Sequence, residues 1–541
     1  METRALRVTV VAAVLTAVGS GTSSFITEGR AGANQAADTL RVAFATSFST
    51  PDPALNLNIY FGQIEYATCA KLLNYPDKAG AAGTRLVPEV AETLPRVSRD
   101  DRTYTFTIRR GFRFNTGVEV TAAHFAGALN RILNPMVKSP AAGYFEDIEG
   151  AQEVLQGRAR IPTGIRVRGR NLIIRLNRRA PDFPHRMAMR YVCAVPVDYP
   201  AETNTQVVPA GAGPYYIAEW VPGRTVVLRQ NPFYGGARPR RFSEVVYKLN
   251  VPLDTLALQA ERGETDYAIV GPIDYARLRD TYGVNKRQLF VQPSLRMGLI
   301  ALNTDRPLFR NNPWLRQAVN FAIDRRALVA TLGGISGKRT DQYLSPSMPG
   351  YTDADIYPLR GPNLAKARAL ARGHLRDAKA VLYTANASST ALSRAQIIQY
   401  NLRQIGLDVE IMVTPQPEPP FIRARGAPFD LKDDPGGASE YPDPYAALNR
   451  FFDGRFLRAE NNTNLSFFND PTFNRKLAAA ARLSGPARYR AYGKLDVGLA
   501  RDAAPAVAYS ANNWVAFFSS RIGCVTINPI SGVSLGALCS R

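Results

Sequence analysis

The sequence predicts an α/β protein of several domains, and three observations carry that expectation. Its 541 residues fit three or four domains at roughly 150 residues each. Residues 379–384, 392–405 and 407–413 read strand, helix, strand, with Gly406 placed to end the helix. Such a unit is a right-handed crossover between parallel strands. Residues 103–109 instead alternate strictly: Tyr104, Phe106 and Ile108 are apolar, with Thr103, Thr105 and Thr107 between them. That is the pattern of a half-buried antiparallel strand, so sheets of both kinds are expected.

The elements follow in order. In residues 1–37, Arg4 and Arg7 precede an apolar run at 8–18. The run is too short to span a bilayer and suits a secretory leader. Ala31-Gly32-Ala33 and Ala36-Ala37 are candidate cleavage sites, and an uncleaved anchor is the alternative. No other run approaches 18 apolar residues, so no internal membrane helix is expected. Residues 39–46 read as the opening strand, stopped by Pro51-Asp52-Pro53, and 63–73 as a helix with one apolar face. Thr121 is a candidate N-cap for a helix to Asn134, with Phe125, Leu129, Ile132 and Leu133 as its apolar stripe. Residues 165–167 and 172–176 form a strand pair.

Residues 207–234 hold the most distinctive stretch. Gly211 and Gly213 bracket a small residue before Pro214, a turn built from residues with special backbone freedom. Tyr215 opens a strand to Trp220; Val221-Pro222-Gly223 breaks it, and 225–228 returns as a hairpin that ends at Asn231-Pro232. Beyond it come short strands at 247–250 and 266–270 around a helix at 255–262, a strand at 295–303, and a helix at 312–325 with Pro313 near its start. Helices at 471–481 and 485–500 and strands at 508–518 and 525–527 complete the chain.

Charge and cysteines limit the function classes. The formal net charge is +22, or +21 without residues 1–37, and 56 of the 67 basic residues are Arg. They are spread along the chain without a block of like charge, which reads as a cationic solvated surface and not a nucleic-acid site. A weaker reading is attraction to anionic cell-wall polymers or lipid head groups. Cys69, Cys193, Cys524 and Cys539 form no C-x-x-C pair, which argues against a zinc knuckle or redox pair. In an exported protein they suggest two disulfides out of three possible connectivities. Cys524 with Cys539 closes a short loop and is preferred, which leaves Cys69 with Cys193; four free thiols is the alternative.

Catalytic signatures are weak. His124, His185 and His374 lack neighbours in metal-ligand spacing, so no metal and no cofactor are expected. Gly532–Gly536 matches G-x-S-x-G around Ser534, but no acid and histidine follow it. Gly333–Arg339 echoes a phosphate loop with short spacing and Arg339 in place of Ser or Thr. No catalytic residue is assigned, and a secreted serine hydrolase is the distant rival.

Several motifs, in order, carry a resemblance. They are Gly211-x-Gly213-Pro214-Tyr215 with Asn231-Pro232-x-Tyr234-x-Gly236; Pro88-Glu89-x-Ala91-Glu92; Ser98-x-Asp100 with Tyr104-Thr105-Phe106 and Arg109; Phe114 and Gly117; Gly263-Glu264-x-Asp266; and Arg316-Gln317-Ala318 with Ala322-Ile323-Asp324-Arg325. Together they resemble family 5 solute-binding proteins, the extracytoplasmic receptors of ABC importers for dipeptides, oligopeptides and nickel chelates. Asp101 stands where that family usually has glycine. The resemblance implies a two-lobed periplasmic-binding-protein-like (class II) fold with an extra peripheral α+β domain. Its divisions here would be a signal peptide at 1–37, domain I at 38–72, 200–294 and 515–541, peripheral domain II at 73–199, and domain III at 295–514.

The same resemblance points to residues 429–452. Glu440, Asp443, Asp433 and Asp434 gather acid in a cationic chain; a solvated acidic loop is the plain alternative. Peptide-binding relatives carry Gly-Trp-x-x-Asp-x-x-Asp-Pro here, whose first acid pairs with the peptide ammonium. By that resemblance Glu440 takes the role, with Asp443-Pro444 closing the motif and Gly437, Ser439 and Tyr441 beside it; Gly437 stands in the tryptophan's place. Dipeptide-selective relatives also place an arginine after the 379–384 strand. Here 385–389 has none before Arg394, which favours oligopeptides over dipeptides. The expected partners are a small peptide or other small solute and the permease and ATPase subunits of an importer, with no nucleic acid and a monomeric chain. A metal chelate or oligosaccharide is the alternative ligand. No cysteine follows the leader's apolar run to carry a lipid, so the expected location is the periplasm or the outer face of the cytoplasmic membrane.

Overall fold

Two long strands organise the molecule. The computed structural model describes residues 38–541 apart from 57, 203–204, 386–388 and 416–417. The expected leader, residues 1–37, and positions 386–388 lie outside the described residues.

In chain order, β1 (Thr39–Ala43) leads to α1 (Phe61–Thr68). All eight residues of α1 are buried, so it has no solvent face. It also stops five residues before the expected end, where Cys69 turns extended to join Cys193. Leu73–Asn74 is then a short strand and not helix. A separate antiparallel sheet comes next: β2 (Arg96–Val97), β3 (Thr103–Thr107), β4 (Ile165–Arg168) and β5 (Asn171–Arg175), ordered β2-β3-β5-β4. Tyr104, Phe106 and Ile108 are buried, as their alternation requires. Asp101 adopts φ +54°, so the turn keeps the left-handed conformation without the glycine. Helix α2 (Ala122–Leu133) covers this sheet with its Phe125, Leu129, Ile132 and Leu133 stripe, all fully buried.

The chain then builds the main sheet. The expected hairpin is β6 (Tyr215–Val221) and β7 (Thr225–Gln230), followed by β8 (Glu244–Lys248), which sits slightly earlier than 247–250, and β9 (Tyr267–Ala268). β10 (Leu289–Leu302) is far longer than the expected 295–303. The 312–325 helix divides into α3 (Pro313–Ala322) and α4 (Arg325–Ala330), because Ile323 is extended and Asp324 caps a new start by accepting from Ala327 N. β11 (Gly337–Arg339) occupies the supposed phosphate loop. β12 (Lys379–Ala385), α5 (Ser389–Arg403) and β13 (Asp408–Thr414) form the expected parallel unit, with Gly406 at φ +88° ending the helix. β14 (Leu431–Ala438) and α6 (Pro444–Phe452) stand where a solvated acidic loop was the plain alternative. α7 (Pro471–Ala481) and α8 (Gly485–Gly498) precede β15 (Ala506–Phe518). The last expected strand shifts to Ile527–Asn528, which pairs with Gly532–Val533.

The eleven-stranded sheet runs β13-β12-β14-β10-β15-β9-β1-β8-β7-β6, with β11 on β15. β10 and β15 pair antiparallel from Leu289 opposite Phe517 to Ala301 opposite Ala506. At one end β15 meets β9, and at the other β10 meets β14, so these two strands carry the sheet from one lobe into the other. Their register breaks between Pro293 and Met297 and again between Gly298 and Leu299. Separate cores lie on either side: one around Phe44, Tyr215, Tyr247 and Phe518, another around Ile300, Leu315, Leu382 and Ile398.

Gly211 and Gly213 are required, though for another reason than backbone freedom, since neither is among the residues with positive φ. A Cβ on Gly213 would lie 2.5 Å from the Ala67 carbonyl oxygen, and one on Gly211 3.0 Å from Tyr216 Cβ. The turn is pressed against α1, and Gly213 N donates to Thr68 O at 2.8 Å. Asn231 Nδ2 donates back to Gly213 O at 3.1 Å, which ties the hairpin's exit to its entrance. Both expected disulfides, Cys69–Cys193 and Cys524–Cys539, are present.

Candidate functional site

The acidic stretch is strand and helix, and most of it is not solvated. Asp433 lies in β14, fully buried, and receives Arg394 Nε at 3.0 Å and Nη2 at 2.9 Å. Arg394, the first arginine after β12, is therefore committed within the protein. Asp443 caps α6 by accepting from Tyr445 N at 2.9 Å, and Pro444 takes the first helical position, where a missing N–H does no harm. The Asp443 carboxylate also receives both Arg488 Nε (3.0 Å) and Nη2 (2.7 Å), a bidentate pair.

Around this helix the second lobe meets the 75–191 region through buried aromatic and charged groups. Tyr441 is fully buried and donates to Asp182 Oδ2 at 2.8 Å. Its ring stacks on His185 at 6.2 Å and meets Tyr144 edge-on at 6.0 Å. His185 Nδ1 in turn lies 2.9 Å from the Tyr75 hydroxyl. Burial holds the His185 imidazole below its usual range, with Asp443 and Asp182 opposing the shift. Asp182 also takes Arg186 Nε at 2.7 Å, and Arg186 reaches Asp147 at 2.8 Å. Burial alone would raise Asp182, but Arg186, Arg488 and two hydrogen bonds outweigh it and keep the group ionised. Arg178 donates to Tyr445 OH at 2.9 Å.

Above this packing lies a cavity of about 60 Å³, lined by Glu65, Lys71, Tyr75, Arg190, Ser439 and Glu440 among others. That is room for one end group of a solute. Glu440 Oε1 accepts from Arg190 Nη2 and from Tyr191 OH, each at 3.1 Å, across 250 and 249 residues of sequence. Of the residues singled out from sequence, Ser439 and Glu440 line the cavity. Gly437 lies at the end of β14, where a Cβ would stand 3.2 Å from Asp434 Oδ2. Tyr441 and Asp443 place their side chains in the packing beneath. The Gly211–Tyr215 turn packs on the C-terminal end of α1 and braces it.

Sequence reasoning missed Glu65, Lys71 and Arg190. Glu65 had a visible signal, an acid inside the otherwise uncharged FGQIEYAT helix. Burial raises it to about 8, Arg190 opposing and Glu440 adding to the rise. Burial also lowers Lys71 to about 8. Ser534 is buried at 1% exposure, and among the described residues no group of three or more His, Cys, Asp or Glu could hold a metal ion. No described helix is long and apolar enough to cross a membrane.

Comparison with known proteins agrees with this architecture. Over residues 85–456 the sequence matches the family described as bacterial extracellular solute-binding proteins, family 5 Middle. It is 25% identical over 324 residues to the probable D,D-dipeptide-binding periplasmic protein DdpA of Escherichia coli (strain K12). That alignment spans 58% of each chain, little more than half the relative's length. Among solved structures, the clavulanic acid biosynthesis oligopeptide binding protein 2 superposes with a TM-score of 0.81 at 22% identity, covering 93% of this chain and 95% of that one. The Escherichia coli murein tripeptide binding protein MppA gives 0.74 at 22% identity, covering 93% and 98%. The two-lobed α/β fold with its added antiparallel sheet is thus that of the periplasmic binding proteins. The chain belongs to the bacterial extracellular solute-binding proteins of family 5.

Proposed function

We propose that the protein captures peptides between its two lobes, oligopeptides in preference to dipeptides, and releases them unaltered to the permease and ATPase subunits of an ABC importer. The observation that carries this reading is the small cavity where Glu440 of one lobe faces Glu65 of the other and Arg190 of the peripheral region. Its size suits a peptide's amino terminus, and two carboxyl groups, Glu65 and Glu440, stand in its wall to receive one. The named relatives bind a dipeptide, oligopeptides and a murein tripeptide, which supports peptides as the solute class. Arg394 is held by Asp433 and so is not offered to a ligand carboxylate, which favours longer peptides.

The register breaks in β10 and β15 support a hinge there, because a bulged strand bends more readily than a regular one. In this reading residues 1–37 direct export, the chain acts as a monomer outside the cytoplasmic membrane, and it performs no chemistry. The domain divisions follow the lobes: 38–72, 200–294 and 515–541 in one, 295–514 in the other, and 73–199 peripheral. Mass spectrometry of solutes released on denaturing the purified protein tests the reading. Near-stoichiometric peptides are expected. Metal chelates or sugars in their place would move the solute class, and no solute after expression in peptide-rich medium would count against capture.

A further inference from the structure

Among the described residues, one acid in the cavity wall has no hydrogen-bond donor. Glu65 is 2% exposed, and neither carboxylate oxygen has a hydrogen-bond partner. The nearest cation, Arg190 Nε, stands 3.9 Å away, and that guanidinium already donates to Asn58 O, Tyr191 OH and Glu440. Lys71, on the same wall, donates to Ala188 O at 2.9 Å and makes no ion pair with Glu65 within 4 Å among the described residues. Asp52 is the remaining charged group that acts on Glu65. Buried polar groups in native proteins are almost always paired, so an acid left open toward a cavity calls for a donor from outside the chain.

We propose that Glu65 adds a second carboxylate, beside Glu440, to hold the cationic amine of the captured solute, and that the amine enters as Glu65 gives up a proton to solvent. This rests on reading the cavity as the solute site. The balance is simple. A protonated carboxyl and an ammonium become a carboxylate–ammonium pair plus one proton in the buffer, and only the Glu65 O–H bond breaks. Burial keeps the empty-site Glu65 carboxyl protonated at neutral pH, its value raised to about 8. An adjacent ammonium favours the ionised form. A peptide's amino group titrates near ~7.7–8.0, so at pH 6 to 7 it arrives charged. Affinity therefore rises about tenfold per pH unit below pH 8, where binding releases one proton. Lys71 and Arg190 stay charged across pH 6 to 7, since their values lie at about 8 and above the usual arginine range.

The test uses the full mature chain. The probe is the peptide that wild type retains most strongly from an equimolar library of free-amino peptides of two to six residues, read by native mass spectrometry. Calorimetry in buffers of differing ionisation enthalpy then counts protons. Wild type is expected to release about one proton at pH 7, with affinity rising about tenfold from pH 6 to 7. Glu65→Gln is expected to release none, to lose at least tenfold in affinity at pH 8, and to bind the N-acetylated probe as wild type does. Glu65→Asp, which keeps the carboxylate, is expected to restore proton release. Unchanged affinity and proton release in folded Glu65→Gln would overturn the proposal and leave peptide capture standing. Retention of no library peptide by wild type would overturn the peptide reading, and the proposal with it.

Discussion

Replacing Asp443 tests how the second lobe's cavity wall is held. Its carboxylate caps α6 and receives Arg488 through two bonds of 3.0 and 2.7 Å, with both side chains almost wholly buried. Asp443→Ala loses the cap, worth about 1 kcal/mol. It also strands a buried guanidinium, and breaking a buried pair costs about 3–5 kcal/mol. Arg488 keeps Ala481 O at 2.8 Å and Asp182 at 3.6 Å, which places the second figure at its low end. The expected loss is therefore about 4 kcal/mol, read as a lower midpoint in urea unfolding. Adding Arg488→Met should return at least ~1.5 kcal/mol, because the stranded charge is then gone. A loss below ~1 kcal/mol for Asp443→Ala, or strict additivity in the double variant, would refute the reasoning.

Three further outcomes follow from the packing and the titrating groups. Gly213→Ala should cost at least ~2 kcal/mol, since its methyl would meet the Ala67 carbonyl at 2.5 Å, whereas Gly127→Ala in open space on α2 should gain up to ~1 kcal/mol; thermal melts of both decide. Burial raises Asp496 to about 7 against its hydrogen bonds from Tyr343 N, Gln342 Nε2 and Leu344 N, so the folded state holds an extra proton between about pH 4 and 7. Through this group stability falls as pH rises across that window, by at most ~1.4 kcal/mol per unit, so Asp496→Asn should gain on wild type from pH 5 to 7 and hold level above 8; a constant difference would contradict it. Removing Cys69–Cys193, which spans 124 residues, should cost more than removing Cys524–Cys539, which spans 15: about 4.9 against about 3 kcal/mol by loop entropy, checked with paired Cys→Ser variants.

Local chemistry in the sequence accounts for much of the fold. The alternation at 103–107, the stripe on α2, the hairpin at 215–230 and the β12-α5-β13 unit each follow from side-chain period and turn residues, which act over a few positions. Long-range contacts were not legible. Helix α1 ends early because Cys69 is drawn to a partner 124 residues away. Gly211 and Gly213 stand out in the sequence, but the close approach of their backbone to α1 needs the third dimension. Asp433 looked like a loop acid until Arg394 met it across β14. The cavity was half legible. Ser439 and Glu440 came from motif position, while Arg190 reaches Glu440 across 250 residues and Glu65 matters because no described residue hydrogen-bonds its carboxylate.

The central claim is that the lobes close on a small guest and let it go unchanged. Small-angle X-ray scattering of the mature protein, with and without the retained free-amino peptide and followed by mass analysis of the recovered peptide, tests it most directly. A smaller radius of gyration with peptide and a recovered peptide of unchanged mass are the predicted results. An unchanged radius at saturation, or a cleaved peptide, would contradict the account.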